Sequence, residues 1–210
     1  MSRPLLITDC DEVLLHMVTP FGAWLRETHD VDFRLDRPYF HEALVRRPDG
    51  EPLPPQEVWP LLDGFFATEM HRQTLIPHAR EALVRIGEIA DIVILTNLRW
   101  HSHAGRVAQL AALGIEHRVV CNQGGKGEPA AALIAELAPS ATVFVDDLAR
   151  HHESVADHAP EAWRLHMVAE PDLARFVAPA PHAHARIDDW AEAVDWVIAR
   201  LRAAGPAPRP

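Results

Sequence analysis

The sequence predicts an α/β protein, a doubly wound parallel sheet of about five strands with a small helical segment inserted after the first. Three observations carry this expectation. Short runs rich in Val, Ile and Leu recur along the chain, as strands buried on both faces should. Helical periodicity fills the intervals between the later runs, which calls for crossover connections. One interval, near the N-terminus, breaks that rhythm.

In order, the expected strands are "PLLITD" (4–9), "DIVILTN" (91–97), "HRVVC" (117–121), "TVFVDD" (142–147) and "WRLHMV" (163–168). The helical patterns are "AREALVRIGEIA" (79–90), "HAGRVAQLAALG" (103–114) and "PAAALIAELAP" (129–139), with a last helix near 187–203. Gly114 is a C-terminal stop signal, and Pro129 stands where a first-turn proline is tolerated. Residues 16–77 hold helical stretches around 21–30 and 55–73, joined by the Pro-rich "RRPDGEPLPP", and no convincing strand. Some sixty residues is too long for an ordinary connection, so this segment reads as a helical cap whose core includes Trp59, Phe65 and Phe66. The expected organisation is a core of 1–15 and 78–204, a cap of 16–77 and a flexible tail of 205–210.

A chain of 210 residues, 48% of them apolar, can bury a sizeable core. Its net charge of −10 argues against a nucleic-acid binder, which needs a basic surface. Small phosphorylated substrates stay open, because local charge decides their binding. Cys10 and Cys121 make neither a metal motif nor a disulfide framework. No run is long enough to span a bilayer and no signal peptide precedes the first strand. A cytoplasmic protein without a membrane partner is the expectation, and nothing in the sequence sets its oligomeric state.

Open α/β sheets bind ligands beyond the carboxyl ends of their strands. The first strand ends at Asp9 and leads to Asp11, the second ends in Thr96 and Asn97, and the fourth ends in Asp146 and Asp147. Lys126 lies in the loop "NQGGKGEP". Two carboxylates one residue apart repel each other and sit poorly in a strand. A cation, a substrate or water must offset that cost. Clustered carboxylates without Cys or His at ligand spacing suit a hard ion, and Mg²⁺ is favoured by one or two carboxylates together with phosphate and water. One aspartate could then attack phosphorus, while Thr96, Lys126 and backbone N–H groups hold the phosphoryl oxygens.

These segments resemble the motifs of the haloacid dehalogenase superfamily. "ITDCDEV" is similar to its D-x-D-x-[TV] signature, "VILTN" to its second motif, Lys126 to its third and "VFVDD" to its fourth. They occur in the family's order over roughly residues 4–150, and the insertion matches the place of a C1-type cap on a Rossmann-like core. The resemblance implies a phosphatase with Asp9 as nucleophile, Asp11 as acid/base, and Thr96, Asn97 and Lys126 on the phosphate. It further implies Mg²⁺ held by Asp9, the backbone carbonyl of Asp11 and Asp147, with Asp146 in support. An acid at position 11 is needed by the family's phosphatases and phosphomutases but not by its dehalogenases. A phosphomutase with the same nucleophile, or a non-catalytic binding or regulatory relative, are the alternatives. A phosphonatase is disfavoured because residues 16–77 contain no lysine.

Other residues carry plainer readings. His101, His103, His151 and His152 follow pocket-forming strand ends, yet no third ligand for zinc accompanies them. Arg99 and Trp100 are substrate contacts or helix-start packing. Cys10 reads as a small buried apolar side chain. Arg26, Arg34, Arg37, Arg46, Arg47 and Arg72 read as a solvated face with the potential to hold a second anionic group.

Overall fold

The computed structural model describes residues 2–37, 40–203 and 207. Its elements, in chain order, begin with β1 (Leu5–Thr8), α1 (Val18–Thr28), β2 (Val31–Phe33), α2 (Phe40–Ala43), β3 (Leu44–Arg46) and α3 (Pro55–Thr68). They continue with α4 (Ala79–Gly87), β4 (Asp91–Thr96), α5 (His103–Ala112), β5 (Arg118–Cys121), α6 (Gly127–Leu137) and β6 (Thr142–Asp146). The chain closes with α7 (Ala149–His158), β7 (Trp163–His166), α8 (Pro171–Ala174), β8 (Ala185–Arg186) and α9 (Trp190–Arg202).

The main sheet runs β5-β4-β1-β6-β7-β8 with every pair parallel. β1 lies between β4 and β6, so alternate residues of one strand feed two different cores. Leu6, with Ile94 and Val145, packs under Leu83, Ile86, Trp190 and Val197. Leu5 and Ile7, with Val93 and Phe144, pack under Leu133 and Val155 on the other face. The period of two in the side chains is what lets a four-residue strand serve both layers.

Five strands are the expected ones, and the sixth, β8, is a two-residue edge too short to leave a pattern. A second correction lies in the insert, where no strand was expected. β2 and β3 form an antiparallel pair with Val31 opposite Arg46 and Phe33 opposite Leu44. Three residues each are too few for alternation to register. The insert's buried cluster is aromatic: Phe21, Trp24, Phe65 and Phe66, joined by Leu98 from beyond β4. Trp59 departs from expectation, since it is 46% exposed and stacks on Phe40 at its rim. Of the predicted tail 205–210, only Ala207 lies within the described residues, and its N–H donates to Glu161 O.

The two connectors of the insert run side by side. Leu15 bridges Leu75, His16 N donates to Thr74 O and Ile76 N to Leu14 O, both at 2.9 Å. Glu12 starts the first connector at φ 60°, with the side chain buried. Its Oε1 accepts from the N–H groups of Met17 and Val18 at 2.7 and 2.6 Å, satisfying donors at the start of α1. Among the described residues no helix is long and apolar enough to cross a membrane.

Candidate active site

The sheet brings the ends of β1 and β6 together. Thr8 is in register with Val145, and Asp9 N donates to Val145 O at 2.8 Å, so Asp9 emerges beside Asp146. Lys126 arrives from the start of α6 with its side chain fully buried. Its ammonium lies 2.8 Å from Asp9 Oδ1 and 2.6 Å from Asp146 Oδ2. Cys10 N donates to Asp9 Oδ1 at 2.7 Å, and Leu148 N to Asp146 Oδ1 at 2.9 Å. Asp9, Asp146 and Asp147 each offer a carboxylate oxygen, and these atoms all fall within 4.8 Å of one another.

One ammonium does not balance three carboxylates. Burial pushes the Asp9 carboxyl up to about 7, against the pull of Lys126 and with the push of Asp146 and Asp11. Asp147 is raised well above the usual range by burial, then by Asp146 and Asp9. Asp146, also penalised by burial, is nonetheless held low by Lys126. Lys126 has its charge secured by the same pair of acids despite its own burial. What the cluster lacks is further positive charge next to hard oxygen donors, the requirement a divalent cation meets.

Asp11 faces a different set of partners. Arg106 Nη2 bridges both its oxygens at 2.9 and 3.0 Å, and Gln73 Nε2 donates to Oδ1 at 2.7 Å. Thr96 Oγ1 stands 3.5 Å from the other oxygen. The carboxylate of Asp11 is thus outside the group of oxygens that gather with Asp9. Arg106 is fully buried on α5; its Nη1 donates to Cys10 Sγ at 3.2 Å and its guanidinium lies over Phe66 of the insert.

Asn97 is committed to its neighbours. Its Nδ2 donates to Gly124 O at 2.8 Å, and its Oδ1 accepts from Asn122 at 2.9 Å, tying down the loop that ends at Lys126. His151 sits 3.4 Å from Asn97 Nδ2, and burial pushes both His151 and His152 down to about 4, so both are neutral. His152 Nε2 meets Asp146 O at 3.0 Å and His166 Nε2 meets Asp147 O at 2.8 Å, which anchors the backbone of the acidic pair. His103 contacts Val119 O, and Trp100, 74% exposed, stacks on its ring. Arg99 reaches across to Asp63 of the insert at 2.9 Å. Arg26, Arg34, Arg46, Arg47 and Arg72 each pair with an acid at 2.7–3.3 Å. A cleft of about 530 Å³ in the insert, lined by His29, Arg46, Gln56 and Glu57, involves none of the residues gathered around Asp9.

Sequence reasoning missed Arg106, Gln73 and Glu12. Arg106 had a legible signal: it stands four residues before buried Leu110, on the apolar stripe of α5, where a charged side chain needs a partner. Lys126 had a stronger one, being the only lysine among these 210 residues. Gln73 and Glu12 offered none that spacing could reveal.

No protein-family model matches the chain, and no curated protein matches it. Solved structures do. A haloacid dehalogenase-like hydrolase from Streptococcus pneumoniae superposes with a TM-score of 0.62 at 11% identity, over 91% of this chain and 97% of that one. A candidate phosphoglycolate phosphatase from Lactobacillus plantarum gives 0.63 at 11% identity, over 93% and 99%. The candidate HAD hydrolase YfnB from Bacillus subtilis, bound to magnesium, gives 0.62 at 13%, over 94% and 100%. The chain therefore has the fold of haloacid dehalogenase-like hydrolases.

Proposed function

We propose that this protein is a metal-dependent phosphatase of the haloacid dehalogenase superfamily, acting on a small phosphorylated molecule. The observation that carries the reading is the meeting of Asp9, Lys126, Asp146 and Asp147, from three separate segments, in one buried cluster. A structural ion pair would need one acid for Lys126; three leave a charge deficit suited to a cation and a phosphoryl group.

In this reading Asp9, Asp147 and Asp146 are the side chains available to a divalent ion, with Mg²⁺ the ion their oxygen chemistry favours. When bound, it would neutralise the acids and draw charge from the phosphoryl oxygens. Asp9 attacks phosphorus, forming an aspartyl-phosphate as the bond to the leaving oxygen breaks. Asp11 gives its proton to that oxygen, then takes one from the water that hydrolyses the intermediate. Lys126 and the Thr96 hydroxyl hold the phosphoryl oxygens during both transfers. Asn97 serves indirectly, by fixing the loop that delivers Lys126. Residues 16–77 cover the site and exclude bulk water.

The test is release of nitrophenol from 4-nitrophenyl phosphate, with and without Mg²⁺, beside Asp9→Asn. Turnover should require the metal and fall by a factor of about 10³ or more in the variant. Undiminished turnover in Asp9→Asn removes the mechanism.

A further inference from the structure

We infer that Arg106 is a positioning residue that fixes Asp11 for proton transfer to the leaving oxygen. The inference rests on the phosphatase reading above and adds to it a residue outside all four motifs.

An isolated guanidinium is costly to bury, so a fully buried arginine is kept by its partners. Those of Arg106 converge on one place. Nη2 bridges the two oxygens of Asp11, Nη1 reaches the sulfur of the residue before it, and Phe66 covers the cationic face. Gln73, only 4% exposed, adds a bond to Asp11 Oδ1 and a second, at 3.2 Å, to His16 O. Gln109, one turn along α5, donates to Met70 O and meets Gln73 Oε1 at 3.5 Å. The carboxylate of Asp11 is therefore located by donors from α5 and from the end of the insert together. Salt-bridge strength alone would not require this arrangement, since an exposed partner would serve a surface arginine equally well.

Asp11 and Arg106 serve one balanced step in different ways. The Asp9–phosphorus bond forms, the phosphorus–leaving-oxygen bond breaks, and the proton on Asp11 moves to that oxygen. Arg106 transfers nothing; it keeps the carboxyl within reach, and proton transfer is acutely sensitive to that distance. The proton matters in proportion to how poorly the oxygen leaves. An alkoxide needs it, whereas 2,4-dinitrophenolate departs without it.

That difference supplies the test. Wild type, Arg106→Lys, Gln73→Leu and Asp11→Asn are compared on glycerol 1-phosphate and on 2,4-dinitrophenyl phosphate in saturating Mg²⁺, with circular dichroism as a check of folding. Arg106→Lys keeps the charge but loses the planar fork. It should lose about a hundredfold in kcat/KM on the alkyl ester and less than about threefold on the aryl ester, following Asp11→Asn. Gln73→Leu should deviate in the same direction, and it decides the matter should Arg106→Lys fail to fold. Equal losses on both esters would mean a merely structural role and overturn the inference, as would a wild type active on the aryl ester alone. A wild type inactive on both would instead sink the phosphatase reading, and this inference with it.

Discussion

Lys126 and Asp146 meet at 2.6 Å with neither side chain exposed. Removing the cation would strand two buried carboxylates, Asp9 and Asp146. Losing one partner of such a pair costs about 3–5 kcal/mol. Lys126→Met should therefore lower the free energy of unfolding by that order, read by urea denaturation at pH 7.5. Turnover should vanish alongside it.

Asp147 has the opposite problem, a carboxyl crowded by Asp146 and Asp9 without its own cation. Asp147→Asn should raise the melting temperature of the metal-free protein, because one repulsive charge is gone. The same variant should lose the further rise that Mg²⁺ gives the wild type. Differential scanning fluorimetry across a Mg²⁺ titration reads both signs at once.

Relative to Asp9→Asn and Glu12→Gln, the metal-free wild type should lose stability as pH rises from about 4 to about 7. Asp9 moves from 3.8 to about 7 in the fold, chiefly by burial, and Glu12 from 4.5 to about 7 for the same reason, opposed by the N–H groups it accepts. Between those values the folded state holds protons on these two acids that the unfolded state has released, so both subtract stability as pH rises, whereas His151 and His152, held down to about 4, add it. Asp146, held low, contributes with the opposite sign and only below its ordinary range. Because a metal must displace the proton on Asp9, the Mg²⁺-dependent rise in melting temperature should be larger at pH 7.5 than at pH 5. Equal rises at the two values would contradict the burial argument.

Gly127 adjoins Lys126 where α6 packs on α7. A Cβ there would fall 2.0 Å from Ser154 O and 2.6 Å from His158 Nδ1. The first of these is backbone and cannot rotate away, so Gly127→Ala must push the start of α6 off α7. Gly127 N also donates to Ser154 Oγ at 2.9 Å, a bond that would go with the shift. Loss of about 1–3 kcal/mol is expected, with weakened phosphate-ester turnover as Lys126 moves.

The sheet could be read from the sequence because each main strand is a short apolar run closed by a polar residue, and Thr96 and Asp146 are themselves such closures. β2, β3 and β8 escaped because two or three residues carry no period. α7 carries no visible apolar period, since two of its three buried positions are His151 and His152, which imitate a polar surface. The acids at the strand ends were legible because the sheet alone decides where they go. The clasp on Asp11 was not. It depends on how α5 meets Gln73 and Phe66, a packing relation between distant segments that no local pattern encodes.

The seal around Lys126 also gives the molecule a built-in reporter. Being the one ε-amine in 210 residues, it is the only side chain on which an acylating reagent leaves a stable amide, and in the native state its nitrogen is shielded from any such reagent. Labelling at this position, followed by mass spectrometry against time, would therefore count the moments when α6 lifts away from the sheet, without a dye, a tag or an engineered cysteine.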